Sequence, residues 1–428
     1  MARVERHEIH EGRLLKRVLR RDGTRTDTDF GRAPKRGLTP AKLHGIADLN
    51  YLQAKRFPDA PEGGDHVTVT DLFGGLGALT LGIFEAARVI GLPAELILAA
   101  DNDPAPLEAL CKTFDVDQIT ARQVDLGRVL KATAGKRTKA EADLIGKHPK
   151  ALDILVAGPP CQGHSRLNNH TRHNDPRNDL YGRVARFVEL RRPRLCIIEN
   201  VDSVIHDQRD SALKTAERLE RLGYTVDEGR VPLHSLGVPQ RRRRHILVAT
   251  DSGERTLEIN AVVMAYSVEE PGSRNLKWAI GDLEKIEATQ GLDAPGSFSK
   301  ENKVRMRWLH EKPHRYNLPN SHRPDCHKNP KFDEQGNERK HSYRSMYGKL
   351  DWSKPAQTIT SGYGSMGQGR YVHPSKERTL TPHEAARLQF IPDFVRIDAA
   401  KGRGKWARMI GNVAPMKLSY VFAVEFLR

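Results

Sequence analysis

Residues 66–82 read HVTVTDLFGGLGALTLG, and this stretch decides the fold. The segment 66–70 alternates apolar and polar residues as a strand does, the glycine-rich segment 71–77 follows, and apolar residues then recur at helical spacing through Ile90. Glycines let a backbone approach a ligand closely, and a helix N-terminus offers unpaired N–H groups. The order strand, glycine loop and helix predicts a nucleotide-type binding turn, although tight turns without a ligand also use glycine.

Two further strand ends carry carboxylates. The run Leu96–Ala100 is followed by Asp101, and another apparent strand end lies at Asp125. Open α/β sheets bind ligands beyond the carboxyl ends of their strands, so Asp101 is expected at ribose hydroxyls and Asp125 beside an adenine amino group. The spacing from Asp71 to Asp101 is looser than the roughly 20 residues of a dinucleotide fingerprint, and the loop has no G-x-G-x-x-G pattern. This disfavours NAD and leaves room for S-adenosylmethionine.

A second informative stretch is GPPCQGHS at residues 158–165, which follows the apolar run Ile154–Ala157. Another apolar run, Leu195–Ile198, leads into Glu199. Together they predict a thiol, Cys161, and a carboxyl group at the ends of two parallel strands. A thiolate that adds to carbon 6 of cytosine makes carbon 5 nucleophilic, and a carboxyl group at ring nitrogen 3 offsets the developing charge. The pair suits covalent chemistry on a pyrimidine.

Plainer interpretations of these residues exist. A lone thiol in an intracellular chain is usually a buried core residue. Pro159 and Pro160 before Cys161, and polar residues after it, favour a strand-end loop instead. Cys196 lies inside an apolar run and is expected to be structural. Glu199 could cap a helix or lie on the surface, although its position after a buried-type run disfavours both.

These motifs occur in an order that resembles the DNA (cytosine-5)-methyltransferase family. The resemblance covers roughly residues 66–250 and 340–425, and its motifs are the glycine loop 71–82, Pro160-Cys161-Gln162 with Ser165, Glu199-Asn200-Val201, Gly237 to Arg244, Arg378 to Gln389, and Ile410 to Pro415. It implies an α/β, Rossmann-like S-adenosylmethionine-dependent methyltransferase domain with a mostly parallel sheet. A smaller irregular target recognition domain is implied beside it.

The resemblance also implies roles for single residues. The catalytic set is Cys161, Glu199, Gln240, Arg242 and Arg244. The set expected to bind the cofactor S-adenosyl-L-methionine is Asp71, Phe73, Gly75, Gly77, Asp101, Asp125, Pro160, Leu180 and Asn412. No metal is implied. The expected reaction transfers a methyl group to carbon 5 of a flipped cytosine through a covalent cysteine adduct, and restriction protection, phage defence and regulation remain open as its purpose.

The chain is expected to have three parts: residues 1–65 as a basic N-terminal extension, 66–255 as the catalytic and cofactor-binding domain completed by 405–428, and 256–404 as the target recognition domain and connecting segment. Within the extension, Ile9 to Arg20 suggests a short amphipathic helix and the sequence up to Arg36 suggests loop or disorder. A flexible arm is therefore favoured over a dedicated domain.

A cluster in the polar segment could ligate zinc: His310, His314, His322, Cys326, His327 and His341. Its spacings match no familiar finger pattern and it contains a single thiol, so metal binding is not expected.

The charge of the chain points to a polyanionic partner. Lys and Arg number 70 against 54 Asp and Glu, a formal net charge of +16 over 428 residues, which favours double-stranded DNA and salt-sensitive binding. Four cysteines without paired spacing, no secretory signal and no long apolar segment favour a soluble protein of the reducing cytoplasm. A monomer suffices for one flipped base. The alternatives are a methyltransferase redirected to transfer RNA and a catalytically silent DNA-binding scaffold.

Overall fold

The structure is a computed structural model. It describes residues 4–34, 37–146, 151–160, 179–328, 331–332, 338–339 and 345–428. Cys161 and the polar loop that follows it lie outside the described residues, as does His341 of the histidine cluster.

The N-terminal part is folded. Its elements are β1 (Glu5–His10), β2 (Arg13–Leu19) and β3 (Arg25–Arg32), which form an antiparallel sheet, and α1 (Pro40–Leu52). The helix predicted over Ile9 to Arg20 is therefore wrong, and β3 replaces part of the predicted loop. Leu14, Lys16 and Val18 point inward from β2, and the buried Lys16 ammonium donates to Tyr420 Oη at 3.0 Å. A lysine at an inward position hid the strand alternation, and its contact with the C-terminal helix argues against a flexible arm.

The middle of the chain alternates strands and helices. Its elements are β4 (Val67–Leu72), α2 (Ala78–Ile90), β5 (Ala94–Asp101), α3 (Pro104–Phe114), β6 (Ala121–Gln123), α4 (Leu126–Val129), α5 (Lys139–Ile145), β7 (Ile154–Ala157), α6 (Leu180–Arg191), β8 (Leu195–Val201), α7 (Ser211–Arg221), β9 (Tyr224–Pro232), β10 (Gln240–Arg241) and β11 (Arg243–Asp251).

Seven of these strands form one sheet in the order β6-β5-β4-β7-β8-β11-β9. Strands β4 to β8 are parallel, and β11 runs antiparallel to β8 and β9. A hydrophobic core covers each face, because Leu195 and Ile197 of β8 belong to one core and Cys196 and Ile198 to the other. Burial on both faces explains why these strands are continuous apolar runs. The predicted α/β fold class is confirmed, and Cys196 is structural as expected.

The last third of the chain contains shorter elements. They are α8 (Ile259–Tyr266), α9 (Leu276–Ile280), α10 (Lys300–His310), β12 (Lys331–Phe332), β13 (Glu338–Arg339), β14 (Ala356–Gln357), α11 (Pro382–Leu388), α12 (Arg403–Asn412) and α13 (Lys417–Leu427). A small separate core lies within this part and contains Met306, Leu309, Leu318, Tyr347, Met366 and Val372. Other apolar residues of this part, such as Ile259, Leu276 and Leu388, belong to the large core on one face of the central sheet.

The C-terminal helix α13 returns to the first half of the chain and packs against α2. The two helices approach closely at Gly82, where a Cβ atom would come within 2.1 Å of Ser419 Oγ and 2.3 Å of the Met416 carbonyl oxygen. Only glycine fits there, so this contact places the α12–α13 turn beside the glycine loop. Within the described ranges, no helix is both long and apolar enough to cross a membrane.

Candidate active site

A cavity of about 290 Å³ lies at the carboxyl ends of the parallel strands. Many residues singled out from the sequence line it: Asp71, Phe73, Gly75, Asp101, Asp125, Pro160, Leu180, Glu199, Arg244 and Asn412. Among the described residues, Gly77, Gln240 and Arg242 are predicted site residues outside its lining. The fold thus brings the glycine loop and the Glu199 strand end to a single cavity.

Asp101 holds the glycine loop in shape. Its two carboxylate oxygens accept the backbone N–H groups of Gly75 and Asp103, each at 2.9 Å. Burial raises the pKa of the Asp101 carboxyl group. This loop-capping role was not evident from the sequence, and the Asp101 side chain also lines the cavity.

Gly77 contributes through packing. Its φ is +81°, in the left-handed region, and a Cβ atom would lie 2.6 Å from Phe114 Cε2. Glycine is therefore required where α2 begins beside α3. The structure does not bring Gly77 to the cavity.

Asp71 is buried at the end of β4. Its Oδ2 accepts from Thr80 Oγ1 at 2.7 Å, whereas its Oδ1 has no hydrogen-bond partner among the described residues. Burial, and to a smaller degree the nearby Asp101, raises the pKa of Asp71 to about 7. A buried carboxyl oxygen without a partner suits a donor supplied by a ligand.

The other predicted cofactor residues form the remaining walls. Phe73 has a φ of +59°, a left-handed conformation that places this side chain at the cavity. Asp125 is half exposed and caps α4 by accepting the Gly127 N–H at 2.9 Å. Leu180 lies over Gly127, and Asn412 is exposed at the end of α12. These walls combine apolar surface with polar groups, as cofactor sites do.

Glu199 and Arg244 form an ion pair within the cavity. Arg244 Nε lies 2.5 Å from Glu199 Oε1, and both side chains are nearly buried. The antiparallel pairing of β8 with β11 places Arg244 opposite Val201 and thus beside the end of β8. Burial raises the pKa of the Glu199 carboxyl group, and the Arg244 guanidinium opposes this rise. Glu199 therefore retains a proton more readily than an exposed glutamate.

Asn200 connects the end of β8 to the turn that precedes Cys161. The buried Asn200 side chain donates from Nδ2 to the Pro159 carbonyl oxygen at 3.4 Å. A Cβ atom on Gly158 would lie 3.8 Å from Glu199 Oε2. The chain therefore enters the predicted nucleophile loop beside Glu199. The position of the Cys161 thiol itself stays a prediction.

Gln240 and Arg242 are fully buried away from the cavity. Gln240 Nε2 donates to Gln389 Oε1 at 2.6 Å and to the Leu388 carbonyl oxygen at 2.9 Å. Arg242 Nη1 donates to Gln389 Oε1 at 2.9 Å. Of the motif from Gly237 to Arg244, only Arg244 has a side chain in the cavity lining.

Comparison with known proteins agrees with this geometry. The family model for C-5 cytosine-specific DNA methylase matches residues 67–427. The chain belongs to this family. The Type II methyltransferase M1.BsuMI of Bacillus subtilis is 37% identical to this methylase over 425 residues, which cover 99% of this chain and 95% of that protein. The Type II methylase M.HgiDII of Herpetosiphon aurantiacus is 28% identical, covering 84% and 95%.

Solved structures show the same fold. The structure of S. pombe Dnmt2 methyltransferase matches with a TM-score of 0.56 and 18% identity, and the match covers 84% of this chain and 98% of that one. This match concerns the fold; the family-model match and the 37% identical relative confirm the predicted family, and the enzyme is a DNA methyltransferase of the cytosine-5 class.

Some residues that line the methylase cavity were not in the predicted cofactor set, among them Asn102, Asp103, Val124, Arg408 and Ala414, although Ala414 belongs to the quoted motif Ile410 to Pro415. Asn102 and Val124 directly flank predicted strand-end residues, and Asp103 lies two residues after one, so strand-end position was the available signal. Arg408 lies four residues before Asn412, one helical turn away on α12, and no residue pattern marked it. In the described part of the chain, no group of three potential metal ligands converges, and neither Cys326 nor His341 has a described side chain.

Proposed function

We propose that this enzyme methylates carbon 5 of a cytosine flipped out of double-stranded DNA, with S-adenosylmethionine as the donor and Cys161 as the nucleophile. One observation carries the proposal. The glycine loop with Asp71 and Asp101 and the Glu199–Arg244 pair line the same cavity, next to the Pro159-Pro160 turn. A donor site and a site for the edge of a base therefore adjoin, as methyl transfer between them requires.

The residues present fit this cofactor. The Asp71 Oδ1, which has no hydrogen-bond partner among the described residues, suits the ammonium group of the cofactor, and each carboxylate oxygen of Asp101 can accept a further hydrogen bond from ribose hydroxyls. Phe73 and Leu180 provide apolar walls for the adenine ring. When bound, the cofactor supplies an electrophilic methyl group on a sulfonium centre.

The Glu199–Arg244 pair suits the edge of a cytosine. A Glu199 carboxyl group with a raised pKa can donate its proton to ring nitrogen 3, and Arg244 fixes its orientation. This interaction offsets the negative charge that develops as the Cys161 thiolate forms a bond to carbon 6. Carbon 5 then takes the methyl group, which leaves S-adenosylhomocysteine, and its proton passes to water. The proton on ring nitrogen 3 returns to Glu199 as the bond from carbon 6 to sulfur breaks, which restores the ring and the free Cys161 thiolate.

Double-stranded DNA is the proposed substrate. The net charge of +16 suits a polyanion, and the family is defined by DNA methylation. The polar segment 256–404 with its own small core is proposed as the target recognition domain, beside a catalytic domain of residues 66–255 and 405–428. We further propose that the enzyme acts as a monomer, in the cytoplasm, as the modification partner of a restriction system.

Bisulfite sequencing of host DNA after expression of the chain tests this proposal. We expect 5-methylcytosine in one sequence context, and none with Cys161→Ser. Duplex DNA and transfer RNA should be compared in vitro with labelled S-adenosylmethionine. Methyl label found only in transfer RNA would show that transfer RNA, and not DNA, is the substrate. Cofactor binding without label in either nucleic acid would favour a catalytically silent scaffold. Normal methylation by Cys161→Ser would contradict the assigned nucleophile.

A further inference from the structure

We propose that Gln389, which is not among the predicted site residues, is a positioning residue that couples cofactor binding to base binding. The Gln389 side chain does not line the cavity. It acts by holding together the chain segments that carry Arg244 and Asn412. This inference rests on the proposed function, because both segments belong to the proposed cofactor and base sites.

The side-chain amide of Gln389 is fully buried just after α11 and uses all its hydrogen-bonding capacity. Its Oε1 accepts from Gln240 Nε2 at 2.6 Å and from Arg242 Nη1 at 2.9 Å. Its Nε2 donates to the carbonyl oxygens of Ile410 at 2.7 Å and Ile359 at 3.3 Å. A primary amide has two acceptor and two donor positions, so none is left over. These five residues are called the Gln389 network below.

The orientation of this amide is fixed by its neighbours. Two donors, from Gln240 and Arg242, face one end, and two carbonyl oxygens face the other. A flipped amide would place donors against donors and acceptors against acceptors. Because buried polar groups are costly when unpaired, the Gln389 amide has one stable orientation. In that orientation it joins the side chains of Gln240 and Arg242 to the backbone at Ile359 and Ile410.

The segments joined by Gln389 lead into different walls of the cavity. Arg242 lies two residues before Arg244, which pairs with Glu199. Ile410 lies two residues before Asn412, which lines the cofactor side. Ile359, which lies two residues after the end of β14, also donates its N–H to Gln240 Oε1 at 3.2 Å. The Gln389 side chain thus connects the break that precedes the strand carrying Arg244, the helix end that carries Asn412 and the stretch that follows β14.

This connection has a thermodynamic consequence. A ligand that orders the Asn412 turn also favours the position of Ile410 that Gln389 requires, and hence the position of the strand carrying Arg244. Binding of cofactor should therefore strengthen binding of DNA, and DNA should strengthen binding of cofactor by the same factor. We expect this coupling to depend on the donor end of the Gln389 amide.

Gln389→Glu tests the donor end, because it keeps the size and the acceptor atoms but removes both donors. The measurement is the Kd of S-adenosylhomocysteine by calorimetry, with and without duplex DNA, together with kcat and KM. We expect the cofactor Kd and KM to rise about tenfold, the effect of roughly one lost hydrogen bond, with kcat at saturation nearly unchanged. The tightening of cofactor binding by DNA should fall towards a factor of one.

Asn50→Asp is the matched control. The Asn50 Nδ2 donates to the Phe30 carbonyl oxygen at 2.7 Å beside the N-terminal sheet, so the change also removes an amide donor from a backbone carbonyl, away from the cavity. It should lower the melting temperature without changing cofactor Kd or the coupling. If Gln389→Glu behaves as this control does, Gln389 is merely structural and the proposal is overturned.

Gln240→Glu keeps the inference testable should Gln389→Glu not fold. It removes the donors to Gln389 and Leu388 but leaves the bond from Gln389 to Ile410 intact. The cofactor Kd without DNA should stay near that of the unmodified enzyme, and the tightening by DNA should decrease. Unchanged coupling in this variant would overturn the inference. A failure of the proposed function is distinguished from these outcomes, because in that case the unmodified enzyme itself forms no 5-methylcytosine.

Discussion

Arg242 and Arg244 lie two residues apart and are both buried, but their surroundings differ. Arg244 pairs with Glu199 in the cavity, whereas Arg242 donates to the uncharged Gln389 amide behind it. In an unbroken strand, residues two apart share a face. Here the strand breaks at Arg242, because β10 pairs with β14 while β11 belongs to the central sheet. The break sends one arginine to the cavity and the other to the Gln389 network.

The two regions should respond differently to substitution. The Glu199–Arg244 pair is charged, faces the cavity and contains a carboxyl group with a raised pKa. The Gln389 network is buried and pairs its amide groups fully. Changes in the first region should alter chemistry, and changes in the second should alter stability and the coupling of ligands.

The largest effect is expected from Glu199→Gln. Loss of the proton donor at ring nitrogen 3 should lower kcat by about 10²–10⁴-fold, the usual contribution of general acid catalysis. Single-turnover methyl transfer at saturating cofactor and DNA measures this directly. Glu228→Gln is the control, since Glu228 pairs with His245 on β11 but does not line the cavity. Similar losses of kcat in both variants would mean that disturbance of the sheet, and not loss of the proton donor in the cavity, lowers the rate.

Asp71→Asn should change how stability depends on pH. The folded-state pKa of Asp71 is about 7, against an ordinary value of 3.8. The protonated group therefore favours the folded state fully below about pH 4, and this contribution is lost as pH rises through 7. Asparagine does not titrate, so the variant should gain stability relative to the unmodified enzyme between pH 5 and 8, on the order of 2–4 kcal/mol. Urea unfolding of both proteins at pH 5 and at pH 8 measures this gain. If the free energies of unfolding of the variant and the unmodified enzyme differ by the same amount at the two pH values, the prediction is contradicted.

Arg242→Met tests the second region, the buried Gln389 network. Gln389 Oε1 loses one of two donors within a buried network, so we expect a cost of about 1–3 kcal/mol in the free energy of unfolding. Single-turnover methyl transfer should fall far less than in Glu199→Gln. Unfolding in urea and the methyl-transfer assay give the two quantities. A loss of catalysis as large as that of Glu199→Gln, at unchanged stability, would mean that Arg242 contacts the base after all.

The sequence predicted the residues that line the cavity better than the buried residues that lie behind it. Parallel strands bring their carboxyl ends to one edge, so Asp71, Asp101 and Glu199 could be placed together from strand ends alone. The match of Gln240 and Arg242 to a base-framing motif could not show the strand break that turns them away from the cavity. Their actual partner, Gln389, lies about 150 residues further along the chain, and no local pattern links such distant positions.

The N-terminal sheet shows a second limit of the sequence. Period-two alternation identifies strands only when inward residues are apolar. In β2 the inward Lys16 is paired with Tyr420 and with Glu5, 3.7 Å from its ammonium group. Without knowledge of these partners, the segment was interpreted as a helix in a flexible arm.

The smallest expected effect is a shift in the alkaline limb of the pH–rate profile. If protonated Glu199 is the acid, kcat decreases as pH rises through its pKa. The positive charge of Arg244 lowers that pKa, so Arg244→Gln should move the limb to higher pH, even though the maximal rate falls. Arg243→Gln removes a charge from an exposed neighbour outside the cavity and should leave the limb in place. Because removal of Arg244 can only favour the protonated form of Glu199, an alkaline limb that stays in place or moves to lower pH would show that this limb does not report Glu199 as the acid.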